Sequence, residues 1–273
     1  MVDSNLLMHD GPNVEMTIVK QKPSTTAQRV AGYLAVLGSI ASLIMIQSYA
    51  LRTVNFEQGW YLGGLNWTDL TFNYHPVLMT AGFIFCGMNA ILSFRLLPLG
   101  KPVSKNIHVA LHVGAVTCIS IGLAAVYIGN SYTNHNNVGY KFPNFYSLHS
   151  FIGLSAIVLY FQNFILGSLA YLVKSFVSLD LKKMYMPNHK FLGILTIIFA
   201  GAAILTGIVD IEGGEFGVCT FDAENGSYAD VPRGCKVLSA FGMTVLTTIA
   251  LFLYAVIDLP EYYHIKRPVE GYQ

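Results

Sequence analysis

Six long apolar runs without Asp, Glu, Lys or Arg constrain this sequence more than any other feature. They cover residues 30–50, 74–94, 108–130, 147–173, 191–209 and 237–257. A run of about 18 or more such residues is long enough to cross a bilayer as a helix. None alternates in hydrophobicity as a barrel strand does. The sequence therefore predicts an all-α membrane protein with six transmembrane helices.

The overall composition excludes the main soluble classes. The 273 residues are 53% hydrophobic and 11% charged, whereas soluble domains carry about 25% charged residues. A formal net charge of +1 provides no basic surface for nucleic acid. A soluble enzyme, a disordered chain and a nucleic-acid binder are therefore excluded.

The distribution of positive charge predicts the orientation. Six spans place both termini on one side, and that side holds twelve of the 16 Lys and Arg residues. By the positive-inside rule this side is cytosolic. We expect a cytosolic tail at 1–27, a six-span domain at 28–260 and a second cytosolic tail at 261–273. The polar first tail indicates a retained first span, not a cleaved signal peptide.

The opposite side carries features of an oxidising compartment. Cys219 and Cys235 share the loop 211–236, for which we predict a disulfide, with two free thiols as the alternative. Asn66 and Asn225 begin glycosylation sequons on this side.

Four of the eight histidines lie at span ends in two pairs of matching depth. If the second to fifth helices form a four-helix bundle, His75 faces His149 in the outer half and His108 faces His189 in the inner half. Neutral imidazole ligates haem iron, and two imidazoles leave no position open for substrate, which suits electron transfer. The metal centres would lie roughly 20 Å apart. A histidine bonded to a carbonyl is the simpler interpretation of each residue alone.

The segments around these histidines resemble the cytochrome b561 family. The similar motifs are FNYHPVLM at 72–79, KNIH at 105–108, YSLHS at 146–150, MPNH at 186–189 and KRP at 266–268. The resemblance implies six spans and two b haems per chain, with His75 and His149 on the outer haem and His108 and His189 on the cytosolic haem. His112 shares a helix face with His108, and the resemblance favours His108 as the ligand and His112 as a haem-edge or packing residue.

The resemblance also implies two substrate sites. On the cytosolic side, Lys101, Lys105, Arg95 and Lys182 are candidates to bind the ascorbate anion, although ordinary positive-inside charge is the alternative for each. On the outer side, His135 and Tyr146 are candidates to border the second site, with a solvated loop histidine as the alternative for His135.

The function expected from these observations is transmembrane electron transfer from cytosolic ascorbate to a non-cytosolic acceptor. The acceptor would be monodehydroascorbate or a ferric chelate, which makes the chain a monodehydroascorbate or ferric-chelate reductase. We expect a homodimer in the membrane of a secretory vesicle, an endosome or lysosome, or the cell surface. A cofactor-free histidine-using transporter and a haem-bearing anchor subunit of a larger oxidoreductase are the alternatives.

Overall fold

Six helices long and apolar enough to cross a membrane make up most of the described chain. The computed structural model describes residues 24–97, 100–131, 145–173, 177–213, 219 and 231–257, and the backbone of three short strands. The helices, called first to sixth in chain order, are Thr26–Ala50, Thr71–Leu96, Lys101–Ser131, Leu148–Tyr171, Leu179–Gly213 and Arg233–Val256. The prediction of six spans is confirmed.

Two helices begin well before their apolar runs. The third helix starts at Lys101 and the fifth at Leu179, so His108 and His189 lie inside helices and not at their first residues. The added residues of the fifth helix are rich in Lys, Met and Leu, which are good helix formers, and Pro102 lies in the first turn of the third helix, where proline is tolerated. Pro187 lies inside the fifth helix.

The second helix is not a regular α-helix. It opens with a 3₁₀ turn at Thr71–Asn73 and contains a π-helical segment, Thr80–Gly87, between α-helical parts at Tyr74–Met79 and Met88–Leu96. A π turn bonds residue i to residue i+5 and so holds one residue more than an α turn. The segment shifts the register of everything that follows it along this helix.

The helices pack mainly as three pairs: first with sixth, second with third, and fourth with fifth. The fifth helix also contacts the second and the sixth, whereas the third and fourth barely touch. The second helix is the most buried of the six. Large apolar side chains remain exposed along the spans, and in a bilayer they face lipid; among them are Leu37, Ile44, Val113, Val158 and Ile165.

The two ends of the bundle differ in chemistry. One end, called the basic end, carries Arg29, Arg95 and Lys101 near the starts and ends of helices. The other, called the disulfide end, holds the Cys219–Cys235 bond with Cα atoms 5.9 Å apart. The tails add an antiparallel sheet that the sequence did not predict, in which Met16–Lys20 lies between Asn5–Leu7 and Glu261–Ile265.

Candidate functional site

His75 and His149 meet across the bundle near the disulfide end. Their ring centroids are 6.0 Å apart, and they come from the second and fourth helices. His75 Nδ1 donates to Gly122 O (3.1 Å) and His149 Nδ1 donates to Ala203 O (2.7 Å). Because a carbonyl only accepts, each Nδ1 carries the proton and each Nε2 keeps its lone pair.

His108 and His189 form the equivalent pair near the basic end. Their ring centroids are 6.4 Å apart, and they come from the third and fifth helices. His108 Nδ1 donates to Ala90 O (2.8 Å), whereas His189 Nδ1 donates to the side-chain oxygen of Asn163 (2.9 Å). In this pair too, Nε2 is the nitrogen that is free to act as a metal ligand.

A common interval relates three of the histidines to the acceptors on their own helices. On each of three helices the acceptor lies the same number of residues after the histidine. The pairs are His108 and Gly122, His149 and Asn163, and His189 and Ala203. Each of these helices therefore carries a histidine and then the acceptor for the other histidine of its hairpin. The interval is about four helical turns, which separates the two pairs by about 21 Å along the helix axes.

The second helix departs from this interval by one residue. Ala90 follows His75 one position later than the common interval would place it, and the π segment Thr80–Gly87 lies between them. The additional residue held by a π turn brings Ala90 O to His108. The π segment therefore has a direct consequence for the site.

Two glycines make room for imidazole rings. A methyl group built at Gly167 would lie 2.7 Å from His189 Cε1, and one at Gly207 would lie 2.9 Å from His149 Cε1. Each glycine follows the histidine of its own helix by the same interval, about five complete turns, which places it on the same face as that histidine. The fourth and fifth helices are antiparallel, so each glycine meets the histidine of the other helix.

Aromatic and polar side chains lie between the two pairs. His112 is next to His108, with ring centroids 4.4 Å apart, and its Nδ1 is 2.6 Å from the hydroxyl of Tyr160. The Tyr160 ring in turn contacts Phe83 edge to face at 5.6 Å. His112 thus packs against His108, and its expected role as a haem-edge or packing residue stays a prediction.

The predicted ascorbate residues lie at the basic end but not in one cluster. Lys105 Nζ donates to Tyr171 O (2.7 Å) at the end of the fourth helix, and Tyr171 donates through its hydroxyl to Lys182 O (3.1 Å). Tyr171 therefore contacts both Lys105 and the main chain of Lys182, and its ring centroid is 5.5 Å from that of His189. Lys101 is exposed at the start of the third helix. Arg95 donates to Val256 O (2.8 Å) at the end of the sixth.

The predicted residues of the disulfide end are only partly described. Tyr146 is exposed just before the fourth helix, whose N-cap is Ser147. Asn66 is exposed, and its side-chain oxygen accepts from Thr68. His135 and Asn225 lie outside the described residues.

Sequence reasoning missed Asn163, Tyr171, Tyr185 and Gly167. The amide of Asn163 is a polar group within a span, which is a signal for function. Its neighbour Gln162 gives the same signal and is exposed, so the signal alone does not choose between them. In the described part of the chain, no three His, Cys, Asp or Glu side chains could together hold a metal ion.

The fold and these contacts define a class of protein: a transmembrane helical bundle with one histidine pair near each membrane face. Comparison with known proteins agrees, because the family model for eukaryotic cytochrome b561 matches residues 74–211. That segment runs from the second helix into the fifth.

Individual relatives extend the similarity along the chain. Over 247 residues the chain is 32% identical to the plasma membrane ascorbate-dependent reductase of Xenopus laevis, covering 88% of this chain and 80% of that protein. It is 31% identical to the lysosomal membrane ascorbate-dependent ferrireductase of Mus musculus, covering 86% and 90%. It is 38% identical to transmembrane ascorbate ferrireductase 1 of Arabidopsis thaliana, covering 63% and 65%.

The chain therefore belongs to the eukaryotic cytochrome b561 family. Membership makes it a multi-pass membrane oxidoreductase and implies that it binds haem b. The resemblance stated from its motifs is confirmed.

Proposed function

We propose that this protein transfers single electrons across a membrane, from cytosolic ascorbate to monodehydroascorbate or ferric iron on the other side, through two b haems. His75 and His149 would ligate the haem near the disulfide end, and His108 and His189 the haem near the basic end. On the cytosolic side the ascorbate monoanion loses one electron, which enters the protein, and one proton, which is released to water, and so becomes monodehydroascorbate. On the other side monodehydroascorbate gains the electron and a proton from water to become ascorbate, or ferric iron gains the electron alone to become ferrous iron.

The two histidine pairs support this proposal most directly. Two metal–nitrogen bonds of about 2 Å and the half-widths of two imidazole rings add up to about 6 Å, close to the 6.0 and 6.4 Å between ring centroids. All four Nδ1 atoms donate to fixed acceptors, which leaves four Nε2 lone pairs. A haem iron with imidazole in both axial positions exchanges one electron without binding substrate.

The side chains at the basic end suit an anionic donor. Lys105 places its charge where the fourth helix ends, at the main-chain oxygen of Tyr171, whose ring lies 5.5 Å from that of His189. An ammonium group in this position can hold the ascorbate anion near the haem edge. By the positive-inside rule the basic end is the cytosolic one.

Features of this chain also weigh against the transporter and the anchor-subunit alternatives. A donation to a carbonyl alone would suit a cofactor-free transporter, but that alternative leaves unexplained why two histidines face each other at each end of the bundle, 6.0 and 6.4 Å apart. An anchor subunit would depend on a partner for its donor, whereas Lys101 and Lys105 provide a basic surface on this chain.

We also propose that the protein is a homodimer, which the mass of the detergent-solubilised protein would test.

Haem content and its response to histidine variants test the proposal. The purified protein should show a reduced haem b spectrum with two haems per chain. His149→Ala should remove one haem and His189→Ala the other, while His9→Ala in the N-terminal tail should remove neither. A folded but colourless protein would refute the proposal, and so would a His149→Ala variant that keeps both haems.

The acceptor requires a transport assay. Vesicles loaded with a ferric chelate or with monodehydroascorbate should reoxidise the ascorbate-reduced protein at different rates. The faster acceptor identifies the reaction, and a protein reoxidised by neither contradicts electron transfer across the membrane.

A further inference from the structure

We propose that Asn163 is a positioning residue for His189. Its amide oxygen accepts the Nδ1 proton, leaves Nε2 as the nitrogen available to iron, and thereby sets the reduction potential of the haem near the basic end. This inference rests on the proposed function.

Asn163 holds residue 189 at two points. Its Oδ1 accepts from His189 Nδ1 (2.9 Å) and its Nδ2 donates to His189 O (3.1 Å). The side chain is buried, so the amide exchanges these bonds for water only at a desolvation cost. Ring orientation and main-chain position of His189 are therefore fixed by one side chain.

Asn163 differs from the other three acceptors because its accepting atom belongs to the side chain and not to the main chain. His75, His108 and His149 donate to main-chain carbonyls, which every residue type supplies. Among the four paired histidines, His189 alone donates to a side chain. A change of residue at position 163 can thus adjust one haem without a direct effect on the other, about 21 Å away along the helix.

Tyr185 shares the same acceptor. Its hydroxyl donates to Asn163 Oδ1 (3.3 Å), and its ring lies 6.0 Å from that of His189. Two donors on one oxygen divide its electron density. Tyr185 therefore weakens Asn163 Oδ1 as an acceptor for the Nδ1 proton of His189.

These contacts predict the direction of each change. An imidazole that donates to a stronger acceptor becomes a more basic ligand. A more basic ligand favours ferric iron and lowers the reduction potential. Asn163→Leu should raise the potential of the haem near the basic end, whereas Tyr185→Phe and Asn163→Asp should lower it.

A spectroelectrochemical titration of the purified full-length protein tests this. Loss of one hydrogen bond should change the reduced-to-oxidised ratio at fixed potential by about twofold to tenfold, or about 20–60 mV at 59 mV per tenfold. The second haem should not shift. The control is Gln162→Leu, an equivalent change on the exposed face of the same helix, which should move neither potential.

The opposite shifts in reduction potential expected for Asn163→Leu and Tyr185→Phe decide whether the inference holds. Shifts of the same sign in Asn163→Leu and Tyr185→Phe would overturn the inference, and so would equal shifts of both haems or no shift in a protein with two haems. If Asn163→Leu lost the haem near the basic end, this would support the positioning role, and Tyr185→Phe, which keeps the amide, would decide the effect on potential. A protein without haem would refute the proposed function instead.

Discussion

Gly167 and Gly207 allow the sharpest test of how the fourth and fifth helices hold the haems. In Gly167→Ala the new methyl group would lie 2.7 Å from His189 Cε1 and 3.1 Å from its Nδ1. Ordinary carbon–carbon contacts are about 3.5–4.0 Å, so the ring must retreat by about 1 Å. Asn163 and Tyr171 already hold this ring on other sides, so the retreat costs the Nδ1 hydrogen bond or displaces Nε2.

The expected result is a selective loss of one haem. Disturbing a contact that orients a metal ligand typically weakens binding about 10–100-fold. Gly167→Ala should therefore purify with about one haem per chain, the one near the disulfide end. Gly207→Ala, whose methyl group would lie 2.9 Å from His149, should lose the other. The haem-to-protein ratio and the redox spectrum of each variant provide the measurement.

Gly213→Ala, at the end of the fifth helix, serves as the control. A methyl group at Gly213 would meet nothing within 4 Å. This variant should keep two haems. The reasoning is refuted if Gly167→Ala retains two haems with unchanged spectra, or if Gly167→Ala and Gly207→Ala lose the same haem.

Three further predictions concern the ends of the bundle. Lys105→Ala should slow reduction by ascorbate about tenfold to a hundredfold, because a hydrogen bond to a charged group is worth roughly 1.5–3 kcal/mol. Stopped-flow spectroscopy measures this rate, and Lys183→Ala, at an exposed lysine, should react as the unaltered protein does. Cys219→Ser removes the disulfide between Cys219 and Cys235, which are 16 residues apart. The loss should lower the free energy of unfolding by about 3 kcal/mol, seen as a lower unfolding temperature with both haems retained. Asn225→Gln should remove a glycan and raise gel mobility on expression in eukaryotic cells, with Asn66→Gln as the comparison; a glycan on neither residue would contradict the predicted orientation.

The sequence predicted the spans well but not where two helices begin. An apolar run ends at the first charged residue, whereas a helix can continue through charged residues, because Lys, Arg and Glu favour helical backbone. Lys101 and Leu179 therefore start helices that extend beyond the runs at 108 and 191. The π segment was also missed, because no local residue pattern distinguishes Thr80–Gly87 from α-helix.

The histidine pairs could be predicted, and their hydrogen-bond partners could not. Depth along the spans was enough to match His75 with His149 and His108 with His189. The acceptors are mostly main-chain oxygens, whose position depends on helix packing and not on residue type. Only the common interval of about four helical turns connects them to the sequence, and it becomes meaningful once the antiparallel pairing is known.

The first and sixth helices support the second helix. Both lie outside the segment that the family model matches, and they pack on each other and on the second helix. Tyr33 donates to Leu96 O (3.2 Å), and Arg95 donates to Val256 O (2.8 Å). These bonds hold the end of the helix that carries His75 and the π segment.

The second helix needs this support more than its partners do. Its acceptor Ala90 reaches His108 because the π segment holds one residue more than an α turn, and π segments are rare. The fourth and fifth helices instead repeat the same histidine, acceptor and glycine spacing in both directions. The first and sixth helices thus stabilise the irregular hairpin, while the regular hairpin is held by its own reciprocal contacts.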